Sequence, residues 1–296
     1  MQTNSSYRSV FRSDLFNGKT FVVTGAGSGI GRCTAHELAS LGASIALIGR
    51  NIEKLATVEE ELKAAFPSVN TSKHSCDIRL EDAVEEAMTR AFKIHGRFDG
   101  LVNNAGGQFP MPLEYISLKG WEAVLKTNLT GGFLMAKAVH ALWMKNNGGA
   151  IVNIIADMWS GMPGMGHSGA ARAGMLNFTE TAACEWAANG IRVNAVAPGW
   201  IASSGLDTYD EATKTQMRNL RDKVPLKRLG MEAEVSAAIV YLLSPAANFI
   251  TGTCLRVDGG VPNARHTWPA QPAQATDSIK AFEGFHLAKL PKMLEE

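Results

Sequence analysis

Short β-branched or aliphatic runs alternate with segments of helical length along almost the whole chain, and that alternation restricts the fold more than any other feature. The runs are Thr20–Thr24, Ala43–Ile48, Thr71–Cys76, Gly100–Asn103, Ala150–Ile155, Ile191–Ala197 and Cys254–Val257. Between them, Gly31–Leu41, Ile52–Ala65, Leu80–Ile94 and Ala170–Ala188 carry apolar residues at helical spacing. Strands joined through helices run parallel, so the pattern predicts an α/β fold: one doubly wound domain, with a seven-stranded parallel sheet and helices on both faces. The 296 residues suffice for one full-sized core. The domain is expected over residues 17–260, between an N-terminal arm (1–16) and a C-terminal extension (261–296). Gly260–Ser278 is rich in Pro, Ala, Gln and Thr; beyond it, Ile279, Phe282, Phe285, Leu287 and Leu290 are spaced to form one apolar helix face ahead of Pro291.

Composition removes several classes of partner. A formal charge of +1 with no run of Lys or Arg offers no footprint for nucleic acid or an anionic membrane. Apolar stretches are strand-sized and Met1–Ser13 is polar, so neither a membrane span nor a secretion signal is expected, and the protein is placed in the cytoplasm. Cys33, Cys76, Cys184 and Cys254 lie far apart without metal-ligand spacing; they read as buried thiols in a reducing compartment, with no metal site.

Directly after the first strand stands Thr24-Gly25-Ala26-Gly27-Ser28-Gly29-Ile30-Gly31, opening onto a helix. Glycines at these positions let the backbone turn tightly and approach a pyrophosphate, whose charge then meets free N–H groups at the helix N-terminus. The second strand ends Ile48-Gly49-Arg50-Asn51, with no carboxylate to accept from a ribose 2′-hydroxyl; Arg50 can instead meet a 2′-phosphate, which favours NADP(H) over NAD(H). A solvated loop charge is the alternative reading of Arg50.

From about Leu15 to Gly260 these features resemble the short-chain dehydrogenases/reductases, a Rossmann-type family. The likeness rests further on Asp77 after the third strand, Asn103-Asn104-Ala105-Gly106 after the fourth, Asn128 in the next helix, and Pro198-Gly199 after the sixth. It implies cofactor contacts along the turn (Thr24, Gly25, Gly27, Ser28, Gly29, Ile30, Gly31) and at Asp77 and Ile78 beside the adenine. It also implies contacts at Asn104, Ala105, Gly106, Asn128 and Arg172, and at Pro198, Gly199, Ile201 and Ser203 near the carboxamide or phosphates. Helices Gly120–Trp143 and Ala170–Trp186 resemble those that pair across a two-fold in the family, so a homodimer or homotetramer is expected.

The family's alcohol-oxidising members use a Tyr-x-x-x-Lys pair and a preceding Ser, the Lys lowering the Tyr pKa so that a phenolate takes the alcohol proton. Aligning Arg172-Ala173-Gly174 with the family's Lys-Ala-Gly puts Ser168 at the Tyr position, Arg172 at the Lys position and Ile155 at the Ser position. A serine hydroxyl is several pK units more basic than a phenol, so Ser168 can donate a hydrogen bond but is a poor proton acceptor. Reduction of a C=C bond conjugated to a thioester needs no phenolate, only donors at the developing enolate oxygen. Within the superfamily the chain resembles the enoyl-CoA and dienoyl-CoA reductases, through Asn103–Phe109, Lys119-Gly120-Trp121 and His167–Gly174. Leu176 and Glu180 replace the Tyr and Lys that the enoyl reductase carries, and Asp157 stands where some dienoyl reductases place a Tyr. The remaining candidates are Asp157 and His167 as ionisable groups, with Asn128 and Ser168 as neutral donors. A cap carboxylate and a structural helix-start histidine are the plain alternatives for the first two. The Met- and Gly-rich Met158–Gly166 suits either a wall for an acyl or prenyl chain or a surface loop. Three functions follow as expectations: an NADP(H)-dependent reductase of 2-enoyl-CoA-type thioesters; a dehydrogenase of apolar alcohols such as acyclic terpenols (citronellol); or a cofactor-binding pseudoenzyme.

Overall fold

Alternation along β1 (Thr20–Thr24) sends Phe21 and Val23 into one apolar core and Val22 into another, so this central strand has helices above and below it. The computed structural model describes residues 6–203, 214, 220–264 and 280–292. The chain continues through α1 (Gly29–Ser40), β2 (Ser44–Gly49), α2 (Ile52–Ala65), β3 (Thr71–Ser75), α3 (Glu81–His95) and β4 (Gly100–Asn103). Next come α4 (Leu118–Leu125), α5 (Gly131–Val139), β5 (Gly149–Ile154), α6 (Gly166–Glu185) and β6 (Ile191–Pro198). A small pair, β7 (Ile201–Ala202) and β8 (Gly230–Met231), precedes α7 (Glu232–Leu243) and β9 (Cys254–Val257).

The expected parallel sheet is present: seven strands in the order β3-β2-β1-β4-β5-β6-β9, every neighbour parallel. One face packs on α1, α2 and α7 through Leu38, Leu55, Val58, Leu62 and Ile239. The other packs on α3, α5 and α6 through Val84, Met88, Met135, Val139 and Ala182. Helix ends obey local chemistry. Asn51 caps α2 by accepting from the Lys54 N–H (2.7 Å), Ser117 caps α4 by accepting from Gly120 (3.1 Å), and α3 stops at Gly96, which adopts φ +68.

The strand order reverses between β2 and β4, on either side of β1, so the crevice at the carboxyl ends of these strands is where such a sheet receives a ligand. Two buried amides brace the floor beneath it. Asn103 Nδ2 donates to Asn153 Oδ1 (2.9 Å) and to Gly132 O (2.9 Å), and Asn153 Nδ2 donates to Thr179 Oγ1 (2.9 Å), tying β4, β5, α5 and α6 together.

Three expectations are corrected. Residues 280–291 form no helix: Phe285 is buried against Tyr7, Cys33 and Ala233, with Phe282 and Leu287 beside it, so the apolar side chains serve an irregular segment docked on α1 and α7. Arg8 N–H donates to Gly284 O (2.9 Å), which joins that segment to the N-terminal arm, while Ile279 lies outside the described residues. Among the thiols only Cys33 and Cys76 are buried; Cys254 is half-buried and Cys184, on the outer side of α6, is exposed. The helix expected from Gly120 to Trp143 is interrupted by π turns at Lys126–Thr130 and His140–Met144.

Candidate active site

Two glycines shape the first turn of the crevice: Gly25 and Gly29 hold φ of +65 and +57, which an L side chain resists. A Cβ on Gly31 would collide with the Gly25 carbonyl oxygen. Ser28 precedes α1 in an extended conformation without a capping side-chain bond, and the first turn of α1 holds no acid, so its N–H groups stay open to an anion. Thr24 Oγ1 accepts from the N–H groups of Asn104 and Ala105 (2.9 Å each), and Asn104 Nδ2 donates to Thr24 O (3.0 Å), locking the turn to the end of β4.

The resulting cleft of about 760 Å³ brings together Gly25, Gly27, Ser28, Gly29, Ile30, Arg50, Asp77, Ile78, Asn104, Ala105 and Gly106 from the sequence-predicted set. Lys54 and Arg79, which belong to no motif in the sequence, line it as well. Arg79 forks onto Asp77, with Nε 2.9 Å from Oδ1, and holds the Asp77 carboxyl below the usual carboxylate range. Gly31, Asn128, Arg172, Pro198, Gly199, Ile201 and Ser203 stand outside that lining. Pro198 ends β6, Gly199 N–H donates to Val257 O (2.9 Å), Ile201 is buried in β7, and Ser203 follows β7.

Asn128 and Arg172 meet at Gly106, where an added Cβ would stand 2.7 Å from Arg172 Nη2 and 2.8 Å from Asn128 Oδ1. Arg172 Nη1 donates to Ile154 O (2.5 Å), its Nε has no partner among the described residues, and burial pulls its pKa down to about 10. Asn128, carried on the first π turn, accepts from the Gly107 N–H (3.0 Å) and donates to Gly107 O (2.7 Å). π turns of this kind recur at functional sites.

Ser168 is fully buried, and its hydroxyl donates to Gln108 Oε1 at 2.6 Å. His167, equally buried, sets its ring edge-on to Phe109 (4.4 Å) and accepts from the Ser168 N–H at Nδ1 (2.8 Å). A neutral His167 therefore carries its proton on Nε2, which has no partner among the described residues. Ile155, expected at the family's Ser position, is buried among Met175, Ala195 and Ala197. Asp157 interacts with a different set: burial raises its carboxyl, the neighbouring Asp258 raises it further, and Arg256 opposes both.

The predicted wall is backed by a second loop. Met111 N–H donates to Gly164 O (2.6 Å), Leu113 packs against Gly166, and Met162 touches Gly169. Leu113, Tyr115 and Leu118 are 65%, 70% and 73% exposed, an apolar patch beside Phe109 and the Met-rich loop. Gln108 carries no signal of its own in the sequence, because its partner Ser168 stands 60 positions away.

Among the described residues no group of His, Cys, Asp or Glu is arranged to hold a metal ion, and no helix is long and apolar enough to cross a membrane.

Comparison with known proteins agrees with this geometry. The chain is 37% identical over 82% of its length to a probable 2,4-dienoyl-CoA reductase of Bacillus subtilis, 96% of which is covered. It is 38% identical over 84% of its length to a glucose 1-dehydrogenase of Gluconobacter oxydans, 93% of which is covered. A solved citronellol catabolism dehydrogenase from Pseudomonas aeruginosa PAO1 is 55% identical, with a TM-score of 0.77, over 86% of this chain and 99% of that one. Residues 25–262 match the family described as enoyl-(acyl carrier protein) reductase. With the parallel sheet, the glycine turn and the residues around Gly106, these matches make the chain an oxidoreductase of the short-chain dehydrogenase/reductase family, whose members work with nicotinamide cofactors.

Proposed function

We propose that the chain is an NADP(H)-dependent reductase of the C=C bond of apolar 2-enoyl thioesters. One observation carries the reading. Where alcohol-oxidising relatives need a phenolate, the chain has a buried serine whose proton is already given to Gln108, so the site offers donors rather than a base.

The residues present fit a dinucleotide phosphate. The open N–H groups of α1 suit the pyrophosphate, and Arg50 with Lys54 suits a 2′-phosphate. Arg172 and Asn104 stand toward the nicotinamide end, where the bound cofactor would supply hydride to the β-carbon of the enoyl group. The protein's part is then electrostatic. As negative charge moves onto the thioester oxygen, neutral amide donors near Gly107 stabilise it, and the α-carbon then takes a proton supplied by solvent water. Apolar side chains of residues 109–118 and 158–165 give an alkyl or prenyl chain a surface to lie on. Exposed Phe133 on α5, edge-on to Phe178 on α6, supports assembly into a homodimer or homotetramer through these helices.

The 55% identity to a citronellol catabolism dehydrogenase favours a second reading, oxidation of apolar alcohols. The base would then be Asp157, whose raised carboxyl is better suited to accept a proton, since the unprotonated Nδ1 of His167 is engaged by the Ser168 N–H. A panel assay decides: NADPH oxidation with 2-enoyl-CoA esters of increasing chain length, beside NADP⁺ reduction with citronellol and straight-chain alcohols. Turnover of the thioesters alone is the expected result; turnover of the alcohols alone replaces it with the second reading. Tight NADPH binding without either reaction leaves a cofactor-binding protein that is not an enzyme of these substrates.

A further inference from the structure

We propose that Gln108, rather than Ser168, is the group that donates a hydrogen bond to the substrate's carbonyl oxygen. The inference rests on the reading above in one respect only, that the substrate carries a carbonyl conjugated to the reacting carbons.

Three observations converge on this side chain. The Ser168 hydroxyl has one proton, and it goes to Gln108 Oε1 at 2.6 Å. Ser168 is fully buried whereas Gln108 is half-buried, so the amide is the member of the pair that an incoming molecule can reach. With its oxygen turned back onto Ser168, the amide turns its NH₂ group, two donors, the other way.

The backbone that carries Gln108 is held unusually well for a loop. Asn128 brackets the preceding residue, accepting from Gly107 N–H and donating to Gly107 O. The residue before that, Gly106, fits under Arg172 and Asn128 only because it lacks a Cβ. The residue after, Phe109, is packed edge-on to His167. Asn128 and Ser168 are thus positioning residues: one fixes where Gln108 stands, the other which way its amide faces. A donor fixed before the substrate arrives does not have to reorganise as charge develops, which is where catalytic hydrogen bonds gain most. A neutral amide also stabilises an enolate without pairing it to a fixed cation.

The test compares Gln108→Ala, Gln108→Glu and Ser168→Ala in the full-length chain, using trans-2-octenoyl-CoA labelled with ¹³C at C1. With NADP⁺ present no hydride can be given, so the carbonyl stretch of the bound thioester can be read by isotope-edited infrared spectroscopy. The wild type is expected to lower that stretch relative to the free thioester. Gln108→Ala should abolish the lowering and reduce kcat by about 100-fold or more, and Gln108→Glu, which turns a carboxylate on the oxygen, should be at least as damaging. Ser168→Ala should keep a lowered but broader band and lose about tenfold, the cost of an amide no longer held in one orientation. NADPH binding measured by fluorescence in each variant shows that the fold is intact. A lowered band that survives in Gln108→Ala, a larger loss in Ser168→Ala than in Gln108→Ala, or no lowering in the wild type overturns the inference. A lowered band in a wild type that does not turn over octenoyl-CoA overturns the reductase reading while leaving Gln108 as the carbonyl donor.

Discussion

Arg172 donates through Nη1 to the carbonyl oxygen of Ile154 at 2.5 Å, so this cation is anchored to the last residue of β5. Its Nη2 lies against Gly106 at the edge of the cofactor cleft, and one planar guanidinium spans both places. Lysine offers a single ammonium that can reach one of them. Burial lowers the Arg172 pKa only to about 10, so the group stays charged at neutral pH. Arg172→Lys is therefore expected to weaken NADPH about tenfold, the loss of one charge-assisted bond. Fluorescence titration checks this, and wild-type affinity would show that the fork does not serve the cofactor.

Arg50 and Lys54 both line the cleft where the second strand ends without a carboxylate. Arg50→Asp puts a like charge against a 2′-phosphate while leaving a 2′-hydroxyl a partner. NADPH affinity should fall at least tenfold more than NADH affinity, about 1.4 kcal/mol of discrimination. Equal losses for the two cofactors would assign Arg50 to the solvated surface.

How much of this was legible in the sequence depended on the range of the interaction. Thr20–Thr24 and Gly100–Asn103 were bounded correctly because a buried strand and its flanking turn residues are adjacent in the chain, and the less buried Cys254–Val257 because Gly252 and Gly259 flank it. The anion-binding turn was legible for the same reason. Phe282, Phe285 and Leu287 misled: their spacing suits a helix, but what fixes their conformation is Tyr7, Cys33 and the N-terminal arm, nearly the whole chain away. The environment of Asp157 was equally hidden, because Asp258 and Arg256 reach it from the end of β9, far along the chain. Gln108 gave no signal beyond its place in a glycine-flanked loop, since an amide declares a role only through the hydroxyl opposite it.

Glu232, the first residue of α7, is buried, and its Oε1 lies 3.8 Å from where a Cβ on Gly29 would stand, at the N-terminus of α1. Burial raises its carboxyl to about 7, with Arg32 pulling the other way. A pyrophosphate on the same helix end favours the protonated form, so cofactor binding takes up a proton once the free protein has lost it. NADPH affinity should therefore hold below about pH 7 and weaken above it, by up to about tenfold per pH unit. Glu232→Gln should flatten the profile. A wild-type affinity that is level from pH 6 to 9 would separate Glu232 from the cofactor.

At the outer edge of the sheet Ser72 Oγ stands 2.9 Å from His74 Nε2 and 2.8 Å from His95 Nε2, joining two imidazoles through one hydroxyl. Burial lowers both pKa values, that of His95 to about 4, with His74 adding to the shift; for His74, Arg90 adds to it. A histidine whose folded pKa is depressed binds fewer protons folded than unfolded between the two values. Stability from the pair is thus complete above the unfolded pKa of about 6.5 and is lost as pH falls toward 4. Between pH 7 and 5 this part of the stability should fall by about 1–2 kcal/mol. Buried Glu37 and Glu232 titrate with the opposite sign, since their raised carboxyls favour the folded state at low pH. The pair is therefore isolated by difference: urea denaturation of the wild type and of His74→Asn/His95→Gln across pH 5 to 8. The double variant should be less stable than the wild type at pH 8, having lost the bonds to Ser72, and the gap should close as pH falls to 5. A gap that stays constant across the range would mean that the imidazoles keep the same protonation folded and unfolded.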